Sequence, residues 1–108
     1  MTYRNRALLD VAHGMPCMAR FAHDCNAHLG CHPMHADWQE WGRGFGHKAP
    51  DWAFAAGCGN AHQALGKNVG GGMDREARKA EWLAAYVATQ NWLWERGIIR
   101  LAPTKERR

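Results

Sequence analysis

No run of about 18 apolar residues occurs in the 108-residue chain, so no segment is suited to cross a bilayer as a helix. The start, Met1-Thr2-Tyr3-Arg4-Asn5-Arg6, leads into a short apolar run broken by Asp10 and carries no small-residue cleavage site. No secretory signal is expected there, and the expected location is cytoplasmic. There is no Cys-x-x-Cys pair, which argues against a thiol redox protein. There is no Gly-Lys-Ser/Thr ending to the glycine-rich stretch at 41–48, which excludes a nucleotide-hydrolase phosphate loop. No buried strand leads into that stretch, so it is not a dinucleotide fingerprint either. No internal repeat is visible.

What remains is one ordinary small domain, 1–108, of 12.2 kDa with 46% apolar and 22% charged residues, a globular balance rather than a disordered one. A chain this short buries only a modest core and gains from a staple. Its 4 Cys and 7 His are the candidates for one. Without a secretion signal, Cys17, Cys25, Cys31 and Cys58 are better taken as thiols or metal ligands than as a disulfide framework. The net charge is +4, and Lys67, Arg75, Arg78, Lys79, Arg96, Arg100, Lys105, Arg107 and Arg108 place most of the positive charge in the last third. That asymmetry favours nucleic acid over a generic basic surface.

The pattern predicts a short helix over 5–14, capped by Asn5 and closed by Gly14 in a left-handed C′ conformation. Cys17 to Phe21 is a candidate strand, and Met34 to Trp38 its candidate return across a His-, Asn- and Gly-rich loop. Residues 50–56 fit either a helical turn or a short strand with Trp52 packed beneath, and 59–65 fit a short helix ended by Gly66. Gly70-Gly71-Gly72 marks a hinge. Asp74 is an N-cap for a helix over 74–96 of about six turns. Its apolar stripe is expected along Leu83, Tyr86, Val87, Gln90 and Trp94. Gly97 ends it, Ile98 to Leu101 suggests a closing strand, and 103–108 is a polar tail. The tryptophans are expected in the core, although Trp38 and Trp41 could also stack on bases.

Thiolates at Cys17, Cys25 and Cys58 with nearby imidazole could converge on a tetrahedral zinc, and His23 and His28 bracket Cys25 as further candidate ligands. His35, on the presumed return strand, and His62, on the following helix, frame metal-assisted hydrolysis. A strand imidazole can take a proton from water while a helix imidazole holds a divalent cation against a phosphate.

The order Met15-Pro16-Cys17, Cys25-Asn26, His35, Gly42-Arg43-Gly44-Phe45-Gly46, Lys48-Ala49-Pro50-Asp51, Gly57-Cys58 and His62 resembles the YbcO-like family of small prophage-encoded nucleases, related to the HNH (His-metal) endonucleases. Glu81-Trp82, Thr89, Trp92-Leu93-Trp94 and Gly97-Ile98-Ile99 extend the resemblance over nearly the whole chain. It implies an α+β fold: a ββα-metal core over 17–66, with a short N-terminal and a long C-terminal helix, stabilised by structural zinc. It also implies His35 as general base and His62 as ligand of a catalytic Mg2+ or Mn2+. Cys17, Cys25 and Cys58 become zinc ligands, and Arg43, Lys48 and Lys67 candidate phosphate contacts on DNA.

Two departures stand out. Ala61 occupies the fourth zinc position of the family pattern, so Cys31 or a loop histidine replaces it, or His62 is recruited, or the site is empty. Met34 precedes His35 where many HNH nucleases carry a metal-binding carboxylate, for which Asp37 or Asp51 are the substitutes at hand. The expectation is a metal-dependent DNA endonuclease, with room for a homodimer. The alternative is a non-catalytic, zinc-stabilised nucleic-acid- or protein-binding module.

Overall fold

The computed structural model describes residues 3–36, 38, 49–66 and 73–102 as a small α+β body. Asn5 opens the first helix, α1 (Arg6–Val11), its side-chain oxygen accepting the Leu8 N–H at 3.0 Å. The helix tightens into a 3-10 turn over Ala12–Gly14. Gly14 does not take the expected left-handed conformation. The turn closes instead through the Met15 N–H on the Ala12 carbonyl, 3.2 Å, and Met15 is extended. Among the described residues the positive-φ glycines are Gly30 and Gly97.

Among the described residues the sheet has two strands, β1 (Cys31–His35) and β2 (Phe54–Cys58), antiparallel, with Cys31 opposite Cys58 and His35 opposite Phe54. This corrects the expected hairpin. Residues 17–21 are not a strand, and the strand carrying His35 begins at Cys31 rather than continuing to Trp38. The physical reason lies in β2, whose five residues are all buried and which takes β1 as its one strand partner. A two-stranded sheet alone is marginal in water. The outer edge of β2 is nonetheless satisfied. The Ala56 carbonyl accepts the Met18 N–H at 2.9 Å, the Ala56 N–H donates to the Thr89 hydroxyl at 2.9 Å, and the Cys58 N–H donates to Cys17 Sγ at 3.4 Å. Residues 17 and 18 thus serve that edge by single bonds rather than a ladder. Gly57 gives room to the buried Met34 side chain, whose tip lies 2.5 Å from where a Cβ would stand and would have to shift to admit one.

Helix α2 (Gly59–Ala64) follows β2 directly, capped by Cys58. Asp74 caps α3 (Arg75–Glu95) through the Ala77 N–H at 2.8 Å, as its sequence predicts. The face that α3 buries differs from expectation. Trp82, Ala85, Thr89 and Leu93 meet the sheet, while Leu83, Val87 and Trp94 stay 45%, 51% and 47% exposed. Small Ala and Thr let the helix axis approach the Ala-Ala-Gly run of β2, and the larger apolar residues are spread around the helix. Trp82 donates its indole N–H to the Met34 carbonyl at 2.8 Å and stacks on Tyr86. Trp38 packs against it in the core, whereas Trp52 stays on the surface. Past Gly97 no strand forms over 98–101. The Ile98 and Ile99 N–H groups fold back onto the Leu93 carbonyl, at 3.0 and 3.3 Å, and close the helix. The loop at 39–48, the hinge at 70–72 and the tail at 103–108 lie outside the described residues.

Thr89 accepts from Ala56 and donates to the Ala85 carbonyl at 2.8 Å, all of it buried. Thr89→Val keeps the volume and orphans the Ala56 N–H. It is expected to cost about 1–3 kcal/mol in urea unfolding, with Thr89→Ser retaining most of the stability.

Candidate functional site

Cys58 ends β2 and begins α2, so its sulfur accepts the Ala61 N–H at 3.3 Å. Burial alone would raise its pKa. The Ala61 and Asn26 backbone N–H groups and the neighbouring Cys17 and Cys25 thiols outweigh burial and bring it down to about 7. A thiol there gives a thiolate near neutrality, the form that binds metal. Cys17 reaches it from the segment beside β2, and burial, the largest influence, leaves the Cys17 thiol above its usual range. The loop that follows supplies His23 and Cys25. His23 Nδ1 lies 2.8 Å from the Phe21 carbonyl, a bond only an N–H can make, which leaves Nε2 as a lone pair 3.7 Å from Cys17 Sγ. Carbonyl-fixed tautomers of this kind are characteristic of metal-ligating histidine. The loop is tied to α2 by the Asn60 N–H on Asn26 Oδ1, 3.0 Å, and by the Asn60 amide on the Asp24 carbonyl, 2.6 Å.

The outcome is a cluster of Cys17, His23, Cys25 and Cys58 whose ligand atoms all lie within 4.8 Å of one another, a set that could hold a metal ion. Three thiols and one imidazole are the donors of a tetrahedral site for a borderline or soft ion. The fourth donor of this group is a loop histidine, and Cys31 is not among the grouped residues. Cys31 is buried at the start of β1, where burial and the surrounding thiols push its pKa up to about 11, keeping it a protonated packing residue. His62 is not in the cluster either. The signal for His23 was its place two residues before Cys25.

A second group of side chains lies at the other end of the sheet, and His62 stands on α2. His35, at the end of β1, places Nε2 3.6 Å from Asp51 Oδ1. Asp51 is buried, accepts from Arg4 Nη1 at 3.0 Å and from the Asn5 N–H at 2.7 Å, and is thereby committed to the N-terminal segment. Burial would raise its pKa. The Asn5 and Arg4 hydrogen bonds and the Arg4 and His35 charges override this and hold it below the usual carboxylate range. His62, in the last turn of α2, is exposed on one side, and desolvation by its packed side first, then His32 and His35, lower its pKa. It is a neutral imidazole at pH 7.

His62 lines an open cavity of about 390 Å³ together with His32, Gly59, Gln63 and Gly66. His32 carries no role in the sequence reading, where it falls within the His-, Asn- and Gly-rich loop. As a β1 residue it faces α2, its ring centroid 6.2 Å from that of His62. His35 and His62 come within electrostatic reach of each other, but His35 stands beside Asp51 and does not line the cavity. Met34, where a carboxylate was looked for, is buried. Arg43, Lys48, Lys67 and Asp37 lie outside the described residues. A larger cavity of about 530 Å³, lined by Phe21, Met73 and small residues of α2 and α3, contains no imidazole or thiol. Among the described residues, no helix is long and apolar enough to cross a membrane.

No family model, curated protein or solved structure matches the chain.

The purified protein is expected to carry one tightly held metal ion per chain by elemental analysis. His23→Ala and Cys25→Ser should each lose most of it and Cys31→Ala should keep it. Loss of metal from Cys31→Ala would return that thiol to the ligand set.

Proposed function

We propose that this chain is a metal-dependent DNA endonuclease built on a ββα-metal core of the HNH kind, resembling the YbcO-like nucleases, with zinc held by Cys17, His23, Cys25 and Cys58. The observation that carries this is the placement of two imidazoles. One, His35, ends a strand against a buried carboxylate, and the other, His62, is an exposed imidazole on the helix that follows the partner strand, its pKa lowered.

His35 accepts a proton from water in line with a phosphodiester, and Asp51 orients the ring and stabilises the imidazolium that results. His62 supplies a neutral nitrogen for Mg2+ or Mn2+, whose contribution is charge neutralisation at the scissile phosphate and the leaving oxygen. Cys17, His23, Cys25 and Cys58 would hold zinc at the entry of α2, which would restrict the position of His62. Arg43, Lys48 and Lys67 provide cationic contacts to the DNA backbone, in keeping with a net charge of +4. Such an enzyme works in the cytoplasm, where its substrate and a thiol-preserving redox state coincide.

One observation favours the alternative of a non-catalytic, zinc-stabilised nucleic-acid-binding module. Asp51, the carboxylate nearest His35, is engaged by Arg4 and Asn5 and is not free to join His62 on a cation.

Nicking of supercoiled plasmid decides between them. Cleavage is expected with added Mn2+ or Mg2+ and none with EDTA. His35→Ala should reduce the rate about 10²–10⁴-fold with the melting temperature nearly unchanged, the range general-base removal gives. Salt-sensitive binding without cleavage would establish the binding module instead.

A further inference from the structure

We propose that His32 and His62 together form a bis-imidazole site for a transition cation of the zinc–nickel–cobalt class, with His32 supplying the ligand that neither Met34 nor Asp51 provides. The site itself rests on the imidazoles. Its part in cleavage rests on the nuclease function proposed above.

The two rings come from different elements and face the same space. His32 is on β1 opposite Gly57, and its neighbour across the gap is Gly59, the first residue of α2. The position a Cβ on Gly59 would take lies 3.7 Å from His32 Nε2, which places that ring nitrogen beside the first turn of the helix. Three residues further along α2, His62 projects into the same cavity, and the two ring centroids are 6.2 Å apart at an interplanar angle of 38°. Two imidazoles sharing one ion through bonds of about 2.0–2.1 Å have their centres roughly 5 Å apart, so a small side-chain rotation closes the gap. The cavity of about 390 Å³ leaves space for water or a phosphate oxygen to complete the coordination.

His32 is also restrained from behind. His13 stands edge-on to it, at 6.2 Å and 89°, and His13 Nδ1 is 3.0 Å from the Cys31 carbonyl. That ring is therefore fixed by β1 itself and limits how far His32 can swing away.

The donor type decides the ion. Mg2+ prefers oxygen ligands and retains its water, whereas imidazole suits zinc, nickel and related ions. Among the described residues the remaining lining is Gly59, Gln63 and Gly66, none of them a carboxylate. A site of this composition binds such ions more tightly than Mg2+, and of the two ions proposed for cleavage it favours Mn2+.

The test is calorimetric titration of the tag-free, zinc-loaded protein with Ni2+. One further equivalent is expected to bind. His32→Gln and His62→Gln should each weaken it at least tenfold, and a tenfold excess of Mg2+ should not compete. His28→Gln, altering an exposed histidine outside the cavity, should bind as wild type. A second readout needs no variant: the first added Ni2+ should broaden the imidazole proton resonances of His32 and His62 in the wild-type protein, and not those of His28. Wild-type affinity in either glutamine variant, equal competition by Mg2+, absence of a further equivalent, or broadening confined to other histidines would overturn the site. Ni2+ binding with these properties but no plasmid nicking would remove the nuclease function and leave the site standing. Mg2+-driven nicking indifferent to His32→Gln would do the reverse.

Discussion

A lone pair of strands leaves one side of its inner strand without a ladder, and much of this molecule is organised around that deficit. β2 is buried along its whole length, so water cannot serve its outward-facing groups. Thr89 from α3, Met18 from the preceding segment and the Cys17 sulfur take the place of a third strand. These substitutions determine other features. Thr89 must lie on the buried face of α3, which sets the helix rotation. Cys17 must lie beside Cys58, which brings the first two sulfurs together. The sheet edge and the metal cluster are one construction, because the bond that satisfies the Cys58 N–H also positions a ligand.

Asp51 performs a comparable joining role at the other end of the sheet. Its carboxylate gathers Arg4, the Asn5 N–H and His35, and its own N–H donates to the Tyr3 carbonyl at 3.0 Å. The start of the chain is thus held against the segment that enters β2. An ionised carboxylate this buried needs several donors to remain charged, and it has them. The same charge faces a histidine ring at the end of β1, so the group that anchors the N-terminus is also the one that can steady an imidazolium.

Much of the helical structure was legible from residues with local jobs. Asn5 and Asp74 cap α1 and α3, Gly97 closes α3 with a φ of 71°, and Cys58 to His62 are where a short helix was expected. Local signals work there because caps act within one turn of the chain. The strands were harder, because what makes Cys31–His35 a strand is its partner some twenty residues away, and Cys17 to Phe21 alternates in the same manner without finding one. The buried face of α3 was misjudged for a related reason. Leu83, Val87 and Trp94 carry the hydrophobicity, but the sheet accepts Ala85 and Thr89, whose small size and hydroxyl matter more than transfer free energy. Of the metal cluster, three cysteines were legible as thiols of a small thiol-rich chain. The fourth ligand was not determined, because His23 and Cys31 differ only in which way the loop at 22–30 folds, and Asn26 and Asn60 decide that.

The shortness of α2 ties the two chemical regions together. A six-residue helix cannot hold itself in water, since nucleating a turn costs more than so few hydrogen bonds return. Its first turn is held by Cys58, the Asn26–Asn60 bond and the packing of Ala61 beneath it. Its last turn carries His62. An ion among the cysteines would therefore act on the imidazole through about one turn of backbone, restricting where its nitrogen can point without touching it. A cluster that merely enlarged a modest core could have been placed anywhere along the chain. Seated at the start of this helix, a bound ion would stabilise the element from which the cavity histidine projects, so that rigidity would reach the cavity from the cysteine end rather than from its own sparse walls.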